Sequence, residues 1–275
     1  MNITNKISQT MPLQFDTVFS PFRAEEFDSA LDFLEKKGFT GVEIAVARPK
    51  DVNAAILIEK LKAHNLSATT ISTGQAYAID GKCLSSFDAD VRRASAEVVK
   101  AHVDLSAKIG RPPVTIGLLR GKLESGDKGG LLENLREALN LCAEYARERG
   151  VVLQIEPICK EETVLLNTVR ETLEFIESLA NPQNVGLLYD TYHSNIEDGD
   201  LPAAIRLAAD KITNVHLADS HRGLPGCGNI DFHAVFSALR SVGYVGALAL
   251  ETLVIPNREF VNEHCFKSIE KLIDE

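Results

Sequence analysis

The sequence predicts an α/β protein built as a single (β/α)8 TIM barrel, and three observations carry that expectation. Eight short apolar or β-branched runs alternate with amphipathic stretches along the whole chain, the pattern of repeated βα units around a parallel sheet. At 275 residues the length suits one such barrel, which commonly takes about 250. No GxGxxG or GxxxxGK[ST] follows the first run, which removes the nucleotide-binding reason for the alternative, an open doubly wound sheet.

Strands are expected at 13–19 (LQFDTVF), 41–47 (GVEIAVA), 67–73 (SATTIST), 113–119 (PVTIGLL), 151–156, 185–190, 212–218 and 246–252. Their hydrophobicity is nearly continuous, as in a parallel sheet covered on both faces. Helical periodicity lies between them, for example at 24–37 with Phe27, Leu31 and Leu34 on one stripe, and at 131–149 with Leu132, Leu135, Leu139, Cys142 and Ala146. Gly38, Gly110, Gly150 and Gly243 each follow a helical stretch, where a C-terminal cap belongs. Met11 opens the first structured segment, so residues 1–10 are expected to be a mobile N-terminal extension and 11–275 one catalytic domain.

Composition narrows the function. The hydrophobic share of 45% and charged share of 25% are ordinary for a globular protein. A net charge of −10 with no Lys/Arg cluster disfavours nucleic acid and anionic membrane. Five scattered cysteines without a CxxC pair suggest neither a disulfide framework nor a zinc knuckle, and fit a reducing compartment. The polar start MNITNKISQT has no apolar signal region, and no run approaches a membrane span. A cytoplasmic protein is expected.

Four runs end in a ligand type: VVLQIE in Glu156, VGLLYD in Asp190, ITNVH in His216 and GALALE in Glu251, at intervals of 34, 26 and 35 residues. Each interval is close to one βα unit, and in a closed barrel such strand ends meet on one face. Taken singly, a carboxylate closing a strand is often only a helix cap or a partner for a nearby base; four at successive strand ends favour a shared site. Three carboxylates and one imidazole together suit one divalent cation, Mn²⁺ first, with Mg²⁺ or Co²⁺ as alternatives, better than a closed structural zinc site. Such a cation stabilises the charge formed when a carbon next to a carbonyl loses its proton, which points to isomerisation or epimerisation through a cis-enediolate. The connections 74–87, 157–167 and 219–231 are long and polar enough to line the site. His193, three residues after Asp190, could reach a substrate or satisfy a loop carbonyl. Cys159 and Cys227 have no base beside them in sequence and are expected to be inert.

The segments IEPICKEETVLLNT, DTYHSNIED, HLADSHRGLPGCGNIDF and ALET, with GQAYAIDG and IGLLRG, resemble the site motifs of the xylose-isomerase-like sugar isomerase/epimerase superfamily. The likeness is to its ketose 3-epimerases of tagatose or psicose type and to keto-sugar-acid epimerases such as the 5-keto-gluconate type. The resemblance implies that Glu156 and Glu251 are metal ligands and the two acid/base groups, with Asp190 and His216 completing the coordination. It places Glu162, His193 and Arg222 on substrate oxygens near the metal. Arg120, ending IGLLRG, is expected to pair with a substrate carboxylate or phosphate, or else with a carboxylate at the barrel rim. One departure stands out: where ketose 3-epimerases commonly read EP-x-N-R-aromatic-E, this chain has Cys159, Lys160 and Glu161 between Ile158 and Glu162, so the far end of the pocket is expected to differ.

A metal-dependent epimerase of a ketose or keto-sugar acid is the leading expectation. A lyase on the same scaffold, a keto-inositol dehydratase or 3-keto-glycoside lyase, is the rival. An abasic-site endonuclease is remote, because the charge is wrong for DNA and the second to fourth strands end without a histidine. The expected partner is a small-molecule sugar, with neither nucleic acid nor membrane; self-association into a dimer or tetramer is left open.

Overall fold

A computed structural model of the chain describes residues 5–122 and 127–274. Eight parallel strands close into a barrel in chain order: β1 (Ile7–Pro12), β2 (Gly41–Ala45), β3 (Ser67–Ser72), β4 (Val114–Ile116), β5 (Leu153–Ile155), β6 (Val185–Asp190), β7 (Ile212–Leu217) and β8 (Ala247–Leu250). The helices among the described residues are α1 (Phe27–Lys37), α2 (Ala54–Ala63), α3 (Gly74–Asp80), α4 (Ala89–Lys108), α5 (Lys128–Glu148), α6 (Val169–Glu177), α7 (Thr191–Glu197), α8 (Leu201–Ala208), α9 (Phe232–Ser241) and α10 (Arg258–Asp274). None is long and apolar enough to cross a membrane.

Seven strands lie within the expected ranges. The first does not: it runs over Ile7–Pro12 rather than 13–19, and it pairs with β2 and β8 to close the barrel. Residues 7–10 are therefore barrel rather than extension; residues 1–4 lie outside the described residues. The cause is polarity on the inward face, where Ser8 stands opposite Gly41 and Thr10 opposite Glu43, so the strand carries a weak apolar signal. Of the apolar residues of 13–19, Leu13 packs against the core, Phe15 lies under Arg48 and Phe19 lies against Arg222. Likewise the polar connection after β3 contains a helix, α3.

Sequence periodicity explains the outer layer. Helix α1 buries Phe27, Ala30, Leu31 and Leu34 and stops at Gly38, whose φ of +97° favours glycine while its N–H donates to the carbonyls of Glu35 and Leu34. Inside the barrel, the layer beneath the pocket is polar. Glu43, Thr70, Thr115, Gln154 and Asn214 each stand two residues before Ala45, Ser72, Gly117, Glu156 and His216, so they share an inward face with them. Gln154 Nε2 donates to Thr70 Oγ1 at 3.0 Å and Thr115 Oγ1 at 2.8 Å, and Thr213 Oγ1 donates back to Gln154 Oε1 at 2.7 Å. Buried amides and hydroxyls of this kind are tolerated because they satisfy one another.

Candidate active site

The strand ends bring Glu156, Asp190, His216 and Glu251 together, with one ligand atom of each within 4.8 Å of the others. His216 Nδ1 lies 3.5 Å from Glu156 Oε1, 3.7 Å from Asp190 Oδ2 and 3.5 Å from Glu251 Oε2. All four residues are 8% exposed or less. Asp190 divides its work: Oδ1 caps α7 by accepting from the N–H groups of Tyr192 and His193, while Oδ2 has no hydrogen-bond partner. His216 Nδ1 is also without one. Two orphaned buried atoms facing two further carboxylates fit a divalent cation, since such atoms are otherwise costly to bury.

The electrostatics agree. Burial opposes charge on His216, but Glu43, Glu251, Asp190 and Glu156 outweigh it and raise its pKa well above the ordinary imidazole range. Burial likewise opposes ionisation of Asp190 and Glu251, yet His193, His216 and Arg222 around Asp190, and His216 and Arg222 around Glu251, hold both carboxyls below the usual carboxylate range. Gly117, where β4 ends, makes room for this cluster: a Cβ there would stand 2.8 Å from Glu156 Oε2.

Arg222 reaches the cluster from the connection after β7. That loop is organised by Asp219, whose carboxylate accepts from the backbone N–H groups of Ser220, Gly226, Gly228 and Ile230 at 2.7–3.1 Å. Arg222 takes a φ of +61°, a strained conformation for a residue with a Cβ. Its N–H donates to Asp219 O and its carbonyl accepts from Leu253, both at 2.7 Å. The guanidinium donates to Glu162 Oε1 at 2.8 Å and Glu251 Oε2 at 3.0 Å. His193 Nδ1 accepts from the Cys159 N–H at 3.3 Å, and its Nε2 lies 4.0 Å from Asp190 Oδ2. Glu162, His193 and Arg222 thus adjoin the quartet. Burial pushes the Cys159 thiol up to about 11, which keeps it protonated.

Arg120 is placed elsewhere. It is fully buried, and its guanidinium donates to the carbonyls of Glu156 and Leu166, so it braces the backbone behind Glu156 instead of meeting a substrate anion. The sequence expected it at the end of the fourth strand, but β4 stops at Ile116 and Arg120 lies in the turn Leu118–Arg120 beyond it, its side chain facing the backbone. Two residues escaped sequence reasoning. Glu43 Oε2 is 2.7 Å from His216 Nε2, and a lone charge inside the otherwise apolar GVEIAVA was the available signal. Phe19, expected in a strand, lies against Arg222.

Beside the quartet opens a cavity of about 280 Å³. Glu156, Glu162, Arg222 and Glu251 line it together with Asp16 and apolar residues such as Phe19 and Ile158.

Comparison with known proteins gives concordant matches. Residues 31–266 match the family described as xylose isomerase-like TIM barrel. An L-ribulose 3-epimerase of Mesorhizobium japonicum is 36% identical over 245 residues, spanning 88% of this chain and 80% of that protein. A 3-dehydro-D-guloside 4-epimerase of Escherichia coli is 26% identical over 251 residues, spanning 87% of this chain and 92% of its own length. A solved L-ribulose 3-epimerase structure superposes with a TM-score of 0.80 at 28% identity, covering 98% of this chain and 93% of the other.

Proposed function

This chain belongs to the xylose isomerase-like TIM barrel family, and on that footing we propose that it epimerises an uncharged ketose or keto-sugar with the help of one divalent cation, Mn²⁺ first. The single observation that carries the reading is the buried quartet with its two unpartnered ligand atoms, Asp190 Oδ2 and His216 Nδ1. Glu156, Asp190, His216 and Glu251 would hold the cation. When bound, it would supply Lewis-acid stabilisation of the negative charge that develops as the carbon beside the carbonyl loses its proton.

The protein's own groups do the rest. Glu251, held ionised by His216 and Arg222, takes or returns a proton at one face of the reacting carbon, and Glu156 serves the other face. Arg222 hydrogen-bonds a substrate oxygen while keeping Glu251 in place, with Glu162 beside it in the cavity and His193 behind it. Burial of Glu156, His193, Arg222 and Glu251 excludes water, which strengthens their contacts. Five unpaired thiols support a reducing, cytoplasmic location.

The charges lining the cavity bear on the substrate further. Asp16, Glu156, Glu162 and Glu251 line the cavity against Arg222, the one cationic lining side chain among the described residues, which already pairs with two of them. Even with a cation held by Glu156 and Glu251, Asp16 and Glu162 face a single Arg222 already engaged in ion pairs, so among the described residues the cavity offers a sugar acid or phosphate no free cationic side chain, and an uncharged sugar needs none.

A substrate screen in deuterated water with Mn²⁺, read by proton NMR, tests the reading. Uncharged ketoses and 3-keto-glycosides should gain deuterium at one carbon beside the carbonyl and yield an epimer. Loss of water or of an aglycone instead would assign a lyase. A clear preference for the matching sugar acid or phosphate would overturn the charge argument.

A further inference from the structure

We propose that Glu43 is a positioning residue: its carboxylate keeps the proton of His216 on Nε2 and so presents the Nδ1 lone pair to the cation. The inference rests on the cation reading above. Glu43 lies in the middle of β2, fully buried. Its Oε2 stands 2.7 Å from His216 Nε2 and accepts from Asn214 Nδ2 at 3.3 Å. Among the described residues it is the only hydrogen-bond partner of that nitrogen.

In its ionised form the carboxylate offers only acceptors, and the imidazole then donates to it from Nε2. The opposite nitrogen is then the one that carries the lone pair. This matters because Nδ1 faces three carboxylate oxygens at 3.5–3.7 Å, an environment that by itself would draw the ring proton to Nδ1, where a cation must bind. Glu43 reverses that preference and prevents the ring from turning. Packing alone gives no reason for a carboxylate at this point, since burying one without a partner costs several kcal/mol and its strand neighbours Val42, Ile44 and Ala45 are apolar. Histidine ligands that donate their second nitrogen to a carboxylate gain both a fixed tautomer and a more basic lone pair.

The test compares Mn²⁺ affinity, read by EPR of free Mn²⁺, in wild-type, E43Q and E43A proteins, with thermal midpoints recorded beside it. E43A should weaken Mn²⁺ binding by about 10–100-fold. E43Q, whose amide oxygen still accepts from Nε2, should lose less. A shifted midpoint with E43A affinity within twofold of wild type would mean a merely structural role and overturn the proposal. Should E43A not fold, the ¹⁵N spectrum of Mg²⁺-loaded wild-type protein decides: the His216 proton on Nε2 supports the proposal, and a proton on Nδ1 overturns it. If wild-type protein itself binds no Mn²⁺, the cation reading fails; normal wild-type binding with an unaffected E43A overturns this inference alone.

Discussion

The Arg222 guanidinium lies 4.0 Å from the centre of the Phe19 ring and 5.0 Å from that of Tyr192. Phe19 comes from the connection after β1, Tyr192 from α7 and Arg222 from the loop after β7, so three separate βα units fix one cation. The ring faces hold its plane while Glu162 and Glu251 hold its nitrogens.

Removing either part should separate positioning from contact. Arg222→Ala should lower kcat/KM by about 2–3 kcal/mol, the loss expected for a buried charge-assisted contact. Phe19→Ala keeps the guanidinium and should cost about 1 kcal/mol. Steady-state kinetics on the identified sugar check both, and equal losses would deny Phe19 a role distinct from that of Arg222.

The double duty of Asp190 predicts a split between stability and cation binding. Asp190→Asn retains an oxygen that can cap α7, so its thermal midpoint in chelator should stay near wild type while Mn²⁺ affinity falls; Asp190→Ala should in addition lose about 1 kcal/mol of stability. His216→Ala should also weaken Mn²⁺ binding. Calorimetric titration and thermal melts distinguish these outcomes, and unchanged affinity in both Asp190→Asn and His216→Ala would remove them from the ligand set.

Cation loading should release a proton at neutral pH. In the metal-free chain the pKa of His216 is raised well above its ordinary value, so the ring is charged at pH 7 and Nδ1 must give up its proton to bind a cation. Apparent affinity should therefore rise with pH, by up to about tenfold per unit, until the folded-state pKa is passed. The sign for stability is the opposite in chelator: the contribution of the raised His216 is fully present below the unfolded-state pKa and fades as pH rises through the folded one. Titrations in buffers of different ionisation enthalpy count the proton, and pH-independent binding would contradict the charged state of His216.

Gly117→Ala should disturb Glu156. The added methyl would sit 2.8 Å from Glu156 Oε2, closer than van der Waals contact permits, so the carboxylate must shift. A stability loss of about 1–3 kcal/mol is expected for such overpacking, with a larger effect on Mn²⁺ affinity and turnover than the folding loss accounts for. Equal activity per folded molecule would show that the site absorbs the methyl.

Two acid/base carboxylates imply a directional defect when one is neutralised. Glu251→Gln keeps an oxygen toward the cation but cannot carry the proton, so metal-loaded protein should stop epimerising while still exchanging substrate hydrogen with solvent from one epimer. Glu156→Gln should show the mirror preference. Near wild-type conversion by metal-loaded Glu251→Gln would rule out the two-carboxylate mechanism.

By itself the sequence determined the barrel and the convergence of the four strand-end residues, because burial on both faces of a parallel sheet writes apolar runs into the chain and each of these runs closes on an ionisable side chain. Glu156, Asp190, His216 and Glu251 were legible for that local reason. Direction and distant pairing were decided only in three dimensions. Arg120 closes its segment as Glu156 does, yet its long side chain turns back to the carbonyls of Glu156 and Leu166, a choice no periodicity encodes. β1 was misplaced because its inward face is polar, and a pattern read from hydrophobicity cannot tell a polar barrel interior from solvent. Glu43 and His216 stand 173 residues apart and 2.7 Å from each other. Closing the barrel creates that contact, since only closure carries side chains of β2 and β7 into one interior.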